Sequence, residues 1–239
     1  MVIADQIREK ISTTPEGVII TMTDFGIEPQ YQPALAKALN RLVLSGVLKK
    51  VSKGRYYKEK KTIFGSLRPS ESEIAKDFLV KNDKTIGYIT GTTAFASMGL
   101  TTQISSAITI GTNKYRRPMK RGEYKITFLL QPNVITEDNI RLLRILDAIR
   151  LVREIPATTI NESVKGISRI IESLSAEDVI SLCDLSMGYT PYVRALLGAM
   201  LENVGMNTQN LIASLNGTTS YKLNVDEEIL PTKHNWNII

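Results

Sequence analysis

Cysteine and histidine are almost absent from this sequence of 239 residues, which contains one of each. Because Cys183 has no second cysteine to pair with, an internal disulfide is excluded, and this cysteine usage is typical of a reducing compartment. A chain whose only histidine is His234 cannot build a multi-histidine metal site, nor most catalytic sites that pair serine or cysteine with histidine. We therefore expect no metal centre and no catalytic site of that kind.

Long apolar runs are missing as well. No stretch approaches the roughly 18–20 apolar residues that a membrane span requires. The first ten residues place charges among the apolar positions and lack the unbroken apolar core of a signal peptide. The composition, 43% hydrophobic and 23% charged, is that of a globular chain with one large core or two smaller ones. The sequence thus predicts a cytoplasmic protein with no membrane partner.

The positive charge that is present is unevenly distributed. The net charge is +6, yet residues 1–61 carry 11 Lys and Arg against 6 Asp and Glu, and residues 113–125 carry 6 against 1. Residues 126–239 are mildly acidic, with 9 against 13. Clustered positive charge is typical of surfaces that contact nucleic-acid phosphates, although a solvated surface explains either cluster alone about as well.

The pattern of the first sixty residues predicts a winged helix-turn-helix over residues 1–61. Apolar residues four positions apart indicate helices, and two short strands around a glycine-containing turn indicate a hairpin. The predicted elements are a helix over residues 2–12 with an apolar stripe of Ile3, Ile7 and Ile11, a strand over Val18–Thr21, a helical turn over Thr23–Phe25, a helix from Pro33 to Gly46 whose apolar face is Leu35, Leu39, Leu42 and Val43, and strands Val47–Val51 and Arg55–Lys58 around Ser52–Gly54.

This arrangement selects the residues that could touch DNA. With the leucines of the second long helix facing the core, helical geometry places its cations on the opposite side, where the N-terminal part of a recognition helix meets the major groove. The hairpin would contact the DNA backbone or minor groove. Winged-helix modules that bind only protein are the alternative. The candidate DNA-binding residues are Gln30, Tyr31, Gln32, Lys37, Asn40, Arg41, Lys49, Lys50, Lys53 and Arg55.

Residues 62–239 are predicted to form a second, mixed α+β domain whose C-terminal part is helical, so the fold class is α+β. Ser70 and Glu73 have the spacing of a capping box. The predicted elements are a helix from Ser70 to about Asn82–Asp83, a strand and turn over Thr85–Gly91, a helix over Thr92–Met98, strands Ala107–Ile110 and Tyr124–Leu130, helices from Ile140 to Leu151, Ile160–Leu174, Ala176–Leu185 and Pro191–Val204, a strand over Tyr221–Val225, and a tail over Pro231–Ile239.

A second basic patch is predicted in the segment that connects the two strands of this domain. Five cations stand within eight residues, a density that is unfavourable through mutual repulsion unless an anion or solvent screens it. Three interpretations remain open: a solvated hairpin tip, a contact to operator phosphates, or a contact to another nucleic acid such as tRNA. The patch consists of Lys114, Arg116, Arg117, Lys120 and Arg121.

One catalytic signal requires consideration. Gly65 and Ser66, followed by Asp77, are similar to the Gly-Ser start of a nucleotidyltransferase site, but that chemistry needs two nearby carboxylates to hold Mg²⁺. Here Phe78 and Leu79 follow Asp77, so the second carboxylate of an Asp-x-Asp pair is absent. The glycines around residue 91 match no phosphate-binding loop. We expect neither enzymatic activity nor a cofactor.

The segments Ala34–Leu48 and Lys53–Tyr57 resemble the N-terminal module of AbiEi-type antitoxins of type IV toxin–antitoxin systems. Gly87–Gln103 resembles the start of the C-terminal domain of that family, and Ala107–Leu130 continues the similarity. The resemblance implies an N-terminal domain that binds operator DNA and represses its own operon. It also implies a C-terminal domain that neutralises a nucleotidyltransferase-like toxin encoded alongside, either by direct contact or by another route.

Two further interpretations remain open. The chain could be a stand-alone winged-helix regulator whose C-terminal domain senses a ligand or a protein, or a winged-helix adaptor that binds protein alone. A neighbouring nucleotidyltransferase-like reading frame would favour the antitoxin. Salt-dependent binding to promoter DNA would exclude the adaptor.

Overall fold

The computed structural model describes residues 3–63 and 65–239, without the side chain of Ile3. That side chain, predicted to belong to the first apolar stripe, is therefore outside the described residues. The protein is α+β, as the sequence predicts, and divides into two compact units. Unit 1 comprises Met1–Asp77 and Met119–Ile126, and unit 2 comprises Phe78–Pro118 and Thr127–Ile239.

The regular elements follow in chain order. The helices are α1 (Ile3–Thr13), α2 (Gln32–Leu44), α3 (Glu71–Leu79), α4 (Thr92–Ser97), α5 (Ile140–Arg150), α6 (Ile160–Glu172), α7 (Ala176–Ser186), α8 (Pro191–Asn203) and α9 (Gln209–Ala213), with 3₁₀ turns at Met22–Phe25, Pro29–Tyr31 and Pro231–Trp236. The strands are β1 (Ile19–Thr21), β2 (Lys49–Ser52), β3 (Arg55–Tyr57), β4 (Lys60–Thr62), β5 (Gly65–Leu67), β6 (Val80–Lys81), β7 (Lys84–Thr85), β8 (Gly87–Thr90), β9 (Ala107–Thr112), β10 (Met119–Arg121) and β11 (Tyr124–Leu130).

The core of unit 1 is built from apolar side chains of α1, α2 and an antiparallel sheet in the order β1-β3-β2. The predicted helices, the helical turn near Phe25 and the hairpin are all present. Burial of the apolar faces stabilises these short elements, which would be marginal alone. The buried cluster consists of Ile7, Ile11, Ile20, Leu35, Leu39, Leu48 and Tyr56.

Unit 1 extends past the sequence-predicted boundary between residues 61 and 62. It includes the short β4–β5 hairpin, α3 as far as Asp77 and the hairpin formed by β10 and the start of β11. Gly122 in the turn of that hairpin has a φ of +62°, and a β-carbon there would lie 2.6 Å from the carbonyl oxygen of Val51. Only glycine permits so close an approach to β2. A segment distant in sequence thereby packs against the β2–β3 hairpin.

Helix α3 begins after Ser70, as the sequence predicts, but only half of the predicted capping box forms and the helix ends earlier. The backbone N–H of Glu73 donates to the Ser70 hydroxyl at 3.2 Å, which is one half of a capping box. The Glu73 carboxylate accepts instead from the backbone N–H of Ile19 at 3.0 Å. The helix ends at Leu79, not near Asn82–Asp83, because these two residues have positive φ angles of 49° and 55° and form the turn of the β6–β7 hairpin.

Unit 2 contains β8, β9 and the part of β11 from Thr127 onward, with β9 between the other two strands. A carboxylate on α5, Asp147, is fully buried against this sheet. Its oxygens accept from the hydroxyls of Tyr88 at 2.7 Å, Thr90 at 2.8 Å and Tyr189 at 2.9 Å. The side-chain amide of Gln131 donates to both tyrosine hydroxyls, at 2.8 and 2.6 Å. This network fixes α5 to the sheet.

Burial raises the pKa of Asp147 above its ordinary value, while the hydrogen bonds from the three hydroxyls lower it. Burial and the neighbouring carboxylate raise the pKa of both tyrosines, so they remain hydrogen-bond donors. All described partners of Asp147 donate to it, and a buried acceptor surrounded by donors is satisfied only while those donors stay in place.

The four predicted C-terminal helices are present as α5 to α8 and form the larger core. The predicted tail folds back: Pro231–Trp236 is a 3₁₀ turn, and Trp236 is only 2% exposed. Its indole N–H donates to Glu202 on α8 at 2.5 Å. The predicted strand Tyr221–Val225 is wrong, because this segment forms a single parallel bridge between Tyr221 and Ile238.

We expect Gly198→Ala to destabilise unit 2 by about 1–3 kcal/mol, the usual cost of overpacking a core. A β-carbon at Gly198 would lie 2.1 Å from the Trp236 ring, which is buried and cannot withdraw. Because Trp236 is the only tryptophan, its fluorescence during urea unfolding reports on this packing. Gly217→Ala is the control, since nothing lies within 4 Å of a β-carbon there. Equal unfolding midpoints for the two variants would contradict the packing account.

Candidate nucleic-acid interface

Helix α2 separates its apolar and polar residues. Leu35 and Leu39 are fully buried, whereas Lys37, Asn40 and Arg41 are exposed. The separation follows from the helical repeat, since residues four apart share a face. Within residues 3–63 and 65–239, no carboxylate lies within 4 Å of either cation. The polar face thus presents two uncompensated charges one turn apart.

The three candidate residues before the polar face of α2, Gln30, Tyr31 and Gln32, differ in their side-chain contacts. The side-chain amide of Gln30 donates to Glu28 at 2.7 Å, and that of Gln32 donates to the carbonyl of Ile27 at 2.9 Å. Both glutamines therefore stabilise the turn before α2. The ring of Tyr31 is 46% exposed at the start of the helix. Gln30 and Tyr31 are both exposed, and Tyr31 is the one of the three without a side-chain hydrogen bond to the turn among the described residues.

The β2–β3 hairpin carries three more exposed cations, Lys49, Lys50 and Lys53. Lys53 lies in the tight turn, where Gly54 has a φ of +72° that a larger residue would adopt only with strain. In the part of the chain that the structure describes, no salt bridge engages these lysines. They are available to an anionic ligand.

Arg55, predicted as a fourth cation of the hairpin, is committed to an internal ion pair. Its guanidinium donates to Asp77 on α3 at 2.8 Å. Arg121 donates to the same carboxylate, at 2.5 and 3.0 Å, and to the carbonyl of Ile74. Asp77 therefore lies between two guanidinium groups, and the candidate carboxylate of a nucleotidyltransferase site is an ion-pair partner instead.

The two arginines determine the protonation of Asp77. Burial alone raises the pKa of its carboxyl, but the hydrogen bond from Arg121 and the charges of Arg121 and Arg55 outweigh burial. The net effect holds the pKa below the ordinary value of 3.8. A carboxylate with a depressed pKa stabilises the folded state above that value and loses this contribution as the pH falls.

The residues of the predicted second basic patch are divided between the two units. Lys114, Arg116 and Arg117 are exposed in the loop of residues 113–118 in unit 2. Lys120 is exposed on β10 in unit 1, where it stands opposite Lys125 of β11. Assigning Arg121 to the exposed patch is wrong, because its side chain is 3% exposed and paired with Asp77.

Sequence analysis missed two aromatic features beside this loop. The Arg116 guanidinium lies over the Phe78 ring, 5.1 Å from its centroid, and 6.0 Å from that of Phe128. The two phenylalanines form an edge-to-face pair with centroids 5.1 Å apart. Tyr115, between two of the cations in sequence, is 82% exposed. An aromatic residue within a basic run was the signal available for Tyr115.

Metal ligands and the single cysteine are the remaining candidates for chemistry. Within residues 3–63 and 65–239, no three His, Cys, Asp or Glu side chains lie close enough together to hold a metal ion. Burial and the neighbouring Asp184 raise the pKa of the Cys183 thiol, which is the reverse of what a nucleophilic cysteine needs. Over the same residues, no helix is both long and apolar enough to cross a bilayer.

Comparison with known proteins places the chain in a family. The family described as DUF6088, a family of unknown function, matches residues 6–182. The chain belongs to this family. Among curated proteins, no sequence matches it significantly. Among solved structures, the RV2827C protein from Mycobacterium tuberculosis is similar, with a TM-score of 0.45 and 15% identity over 92% of this chain and 84% of that one. The DUF6088 match spans parts of both units.

We expect Asp77→Asn to lower the free energy of unfolding at pH 7 by about 1–3 kcal/mol, because the buried Arg121 loses its counter-charge. The difference from the wild type should shrink as the pH falls below 3.8, because the unfolded chain then binds a proton at Asp77 that the folded state, with its lower pKa, resists. Urea unfolding followed by circular dichroism at pH 7 and pH 3 measures both effects. Asp184→Asn, at an exposed position on α7, is the control. A difference that is independent of pH would contradict the ion-pair account.

Proposed function

We propose that this DUF6088 protein is an operator-binding repressor and antitoxin whose unit 1 contains a winged helix-turn-helix. The order helix, strand, short helix, helix and hairpin supports this assignment, as does the sheet order β1-β3-β2. In such a module the second long helix enters the major groove and the hairpin lies against the backbone. Helix α2 and the β2–β3 hairpin take these two places.

One observation carries the proposal. The five exposed cations of α2 and the hairpin, Lys37, Arg41, Lys49, Lys50 and Lys53, form no salt bridge within the described residues, whereas Arg55 is paired. The paired Arg55 contributes to the fold, whereas the five cations on α2 and the adjacent hairpin, without a salt bridge among the described residues, are available to DNA phosphates. Each phosphate neutralised releases counterions, which makes such binding strongly dependent on salt.

The residues divide into two roles. Asn40 and Arg41 carry side chains suited to base edges, since asparagine pairs with adenine and arginine with guanine in the major groove. Lys37 and the three lysines of the hairpin would contact phosphates, which fix the register of the protein on DNA. Arg55 is a positioning residue. It does not contact DNA itself, but its ion pair with Asp77 orders the β2–β3 hairpin.

Toxin neutralisation is assigned to unit 2. The segment that resembles the antitoxin family, Gly87–Gln103, forms β8, α4 and the following loop of this unit. We assign no catalytic role to the chain, and the partner would be a nucleotidyltransferase-like enzyme encoded alongside. The proposal leaves open whether the two proteins touch.

A ligand-sensing regulator is the second candidate, and one feature of unit 2 favours it. A cavity of about 440 Å³ lies between α7 and the segment leading into α9. Its walls include Val179, Ile180, Cys183, Met206 and Leu211. A mostly apolar cavity of this size suits a small organic molecule. A regulator of this kind would change its operator affinity when that molecule binds.

Operator binding is tested with Lys37→Ala/Arg41→Ala in the full-length chain. We expect a loss of about 1–3 kcal/mol in affinity for DNA from its own promoter if Arg41 makes a bidentate base contact. The dependence of log affinity on log salt should also become shallower by about 0.9, since Lys37 is assigned to one phosphate. Fluorescence anisotropy at several salt concentrations measures both quantities.

The control for operator binding removes two cations from another exposed helix face. Lys165 and Arg169 on α6 are exposed and form no salt bridge among the described residues. Lys165→Ala/Arg169→Ala lowers the net charge equally and should leave the affinity close to that of the wild type. Equal affinity losses in the two double variants would show that DNA affinity depends only on the net charge of the protein. That result would overturn the assignment of α2 as the DNA-binding helix.

Neutralisation is tested by co-expression with the reading frame next to this gene. We expect growth arrest by that protein alone and rescue by the wild-type chain. Because neutralisation is assigned to unit 2, Lys37→Ala/Arg41→Ala should still rescue when expressed from an unrelated promoter. A neighbouring protein that is harmless on its own would contradict the antitoxin proposal and favour the sensor.

A further inference from the structure

The loop of residues 113–118, between β9 and β10, presents an exposed aromatic ring among cations. Tyr115 is 82% exposed, and Lys114, Arg116 and Arg117 are exposed beside it in the sequence. An exposed aromatic ring offers a flat face on which a partner can stack. This loop belongs to unit 2, and the operator-binding proposal gives it no role.

The loop is anchored at two positions, Asn113 and Arg116. The side-chain amide of Asn113 donates to the carbonyls of Gln131 at 2.7 Å and Asn133 at 2.6 Å. The Arg116 guanidinium rests on the Phe78 and Phe128 rings, at 5.1 and 6.0 Å from their centroids. Cation–π contacts of this kind restrict the rotamers of a long side chain. Less entropy is therefore lost when a ligand binds.

The charge of the loop is not neutralised internally. Across residues 3–63 and 65–239, none of Lys114, Arg116 and Arg117 lies within 4 Å of a carboxylate. Three like charges in four residues repel one another, and a bound polyanion would relieve the repulsion. Arginine binds two phosphate oxygens at once through its planar fork.

We propose that the 113–118 loop binds single-stranded nucleic acid, with Tyr115 stacking on an unpaired base and Lys114, Arg116 and Arg117 holding the flanking phosphates. Bases in a duplex stack on each other and offer no free face, whereas an unpaired base can stack on an exposed ring. The combination of one exposed ring and adjacent cations is what single-strand binders use. Phosphate attraction alone would favour a duplex, because a duplex carries the higher charge density.

The test uses the full-length chain and three labelled oligonucleotides of about 12 nucleotides, within the usual site size: oligouridylate, oligothymidylate and a duplex of random sequence. Fluorescence anisotropy gives the affinity of each. We expect Tyr115→Ala to weaken binding to the single strands by about tenfold and to leave duplex affinity unchanged. Tyr115→Phe keeps the ring and should bind single strands like the wild type. Comparing oligouridylate with oligothymidylate shows whether RNA or DNA is preferred.

Charge variants separate stacking from phosphate attraction. Arg117→Ala should make the salt dependence of single-strand binding shallower by about 0.7, the value for one phosphate on a single strand, and Lys165→Ala should not. Circular dichroism confirms that each variant is folded. The proposal is overturned if folded Tyr115→Ala binds the single strands as tightly as the wild type, if Tyr115→Phe loses as much as Tyr115→Ala, or if Tyr115→Ala weakens duplex binding equally.

Discussion

The carboxylate of Asp77 lies between the guanidinium groups of Arg121 and Arg55, and the arrangement of unit 1 depends on this contact. Arg121 is buried, and a buried guanidinium is tolerated only when its charge is compensated and its N–H groups are bonded. Asp77 supplies the charge, and the carbonyl of Ile74 supplies a further acceptor. The contact joins three segments that are far apart in sequence: the hairpin, α3 and β10.

This contact also explains why the first sixty residues are not the whole of unit 1. The β2–β3 hairpin packs against the turn at Gly122, which the chain reaches only after passing through part of unit 2. A fragment ending near residue 61 would lack both Asp77 and Arg121. The conformation of the β2–β3 hairpin, and with it the proposed placement of its lysines on DNA, therefore depends on residues well outside that fragment.

The cations of this protein fall into two groups that composition does not distinguish. Arg55 and Arg121 act inside the fold, while Lys37, Arg41 and Lys53 face solvent without a salt bridge among the described residues. A net charge of +6 says nothing about this division. The proposed nucleic-acid contacts rest on the second group, because a charge already paired gains little from a phosphate.

Local patterns in the sequence were sufficient to predict the elements of unit 1 and the polar face of α2. The Leu35 and Leu39 repeat fixes which side of the helix is buried, and the glycine at position 54 fixes the turn of the hairpin. Such patterns involve residues a few positions apart, where helix and strand periodicity apply. The short helical turn before α2 and the helices from α5 to α8 were predictable for the same reason.

Contacts between distant segments were not predictable. Arg121 and Asp77 are 44 residues apart, and Asp147 is 59 residues from Tyr88 and 42 from Tyr189. Nothing in the neighbourhood of Arg121 distinguishes it from the exposed Lys120, so the sequence predicts both in one patch. The burial of Trp236 is not predictable for the same reason, since it depends on the space left by Gly198 on α8.

The most direct test of the account is hydrogen–deuterium exchange of the full-length protein with and without DNA from its own promoter. Binding through a winged helix-turn-helix predicts slower exchange in peptides covering residues 30–44 and 49–57, and this protection should fade as salt is raised. Protection confined to α5–α8, or no change in either peptide at a DNA concentration that saturates binding, would contradict the account.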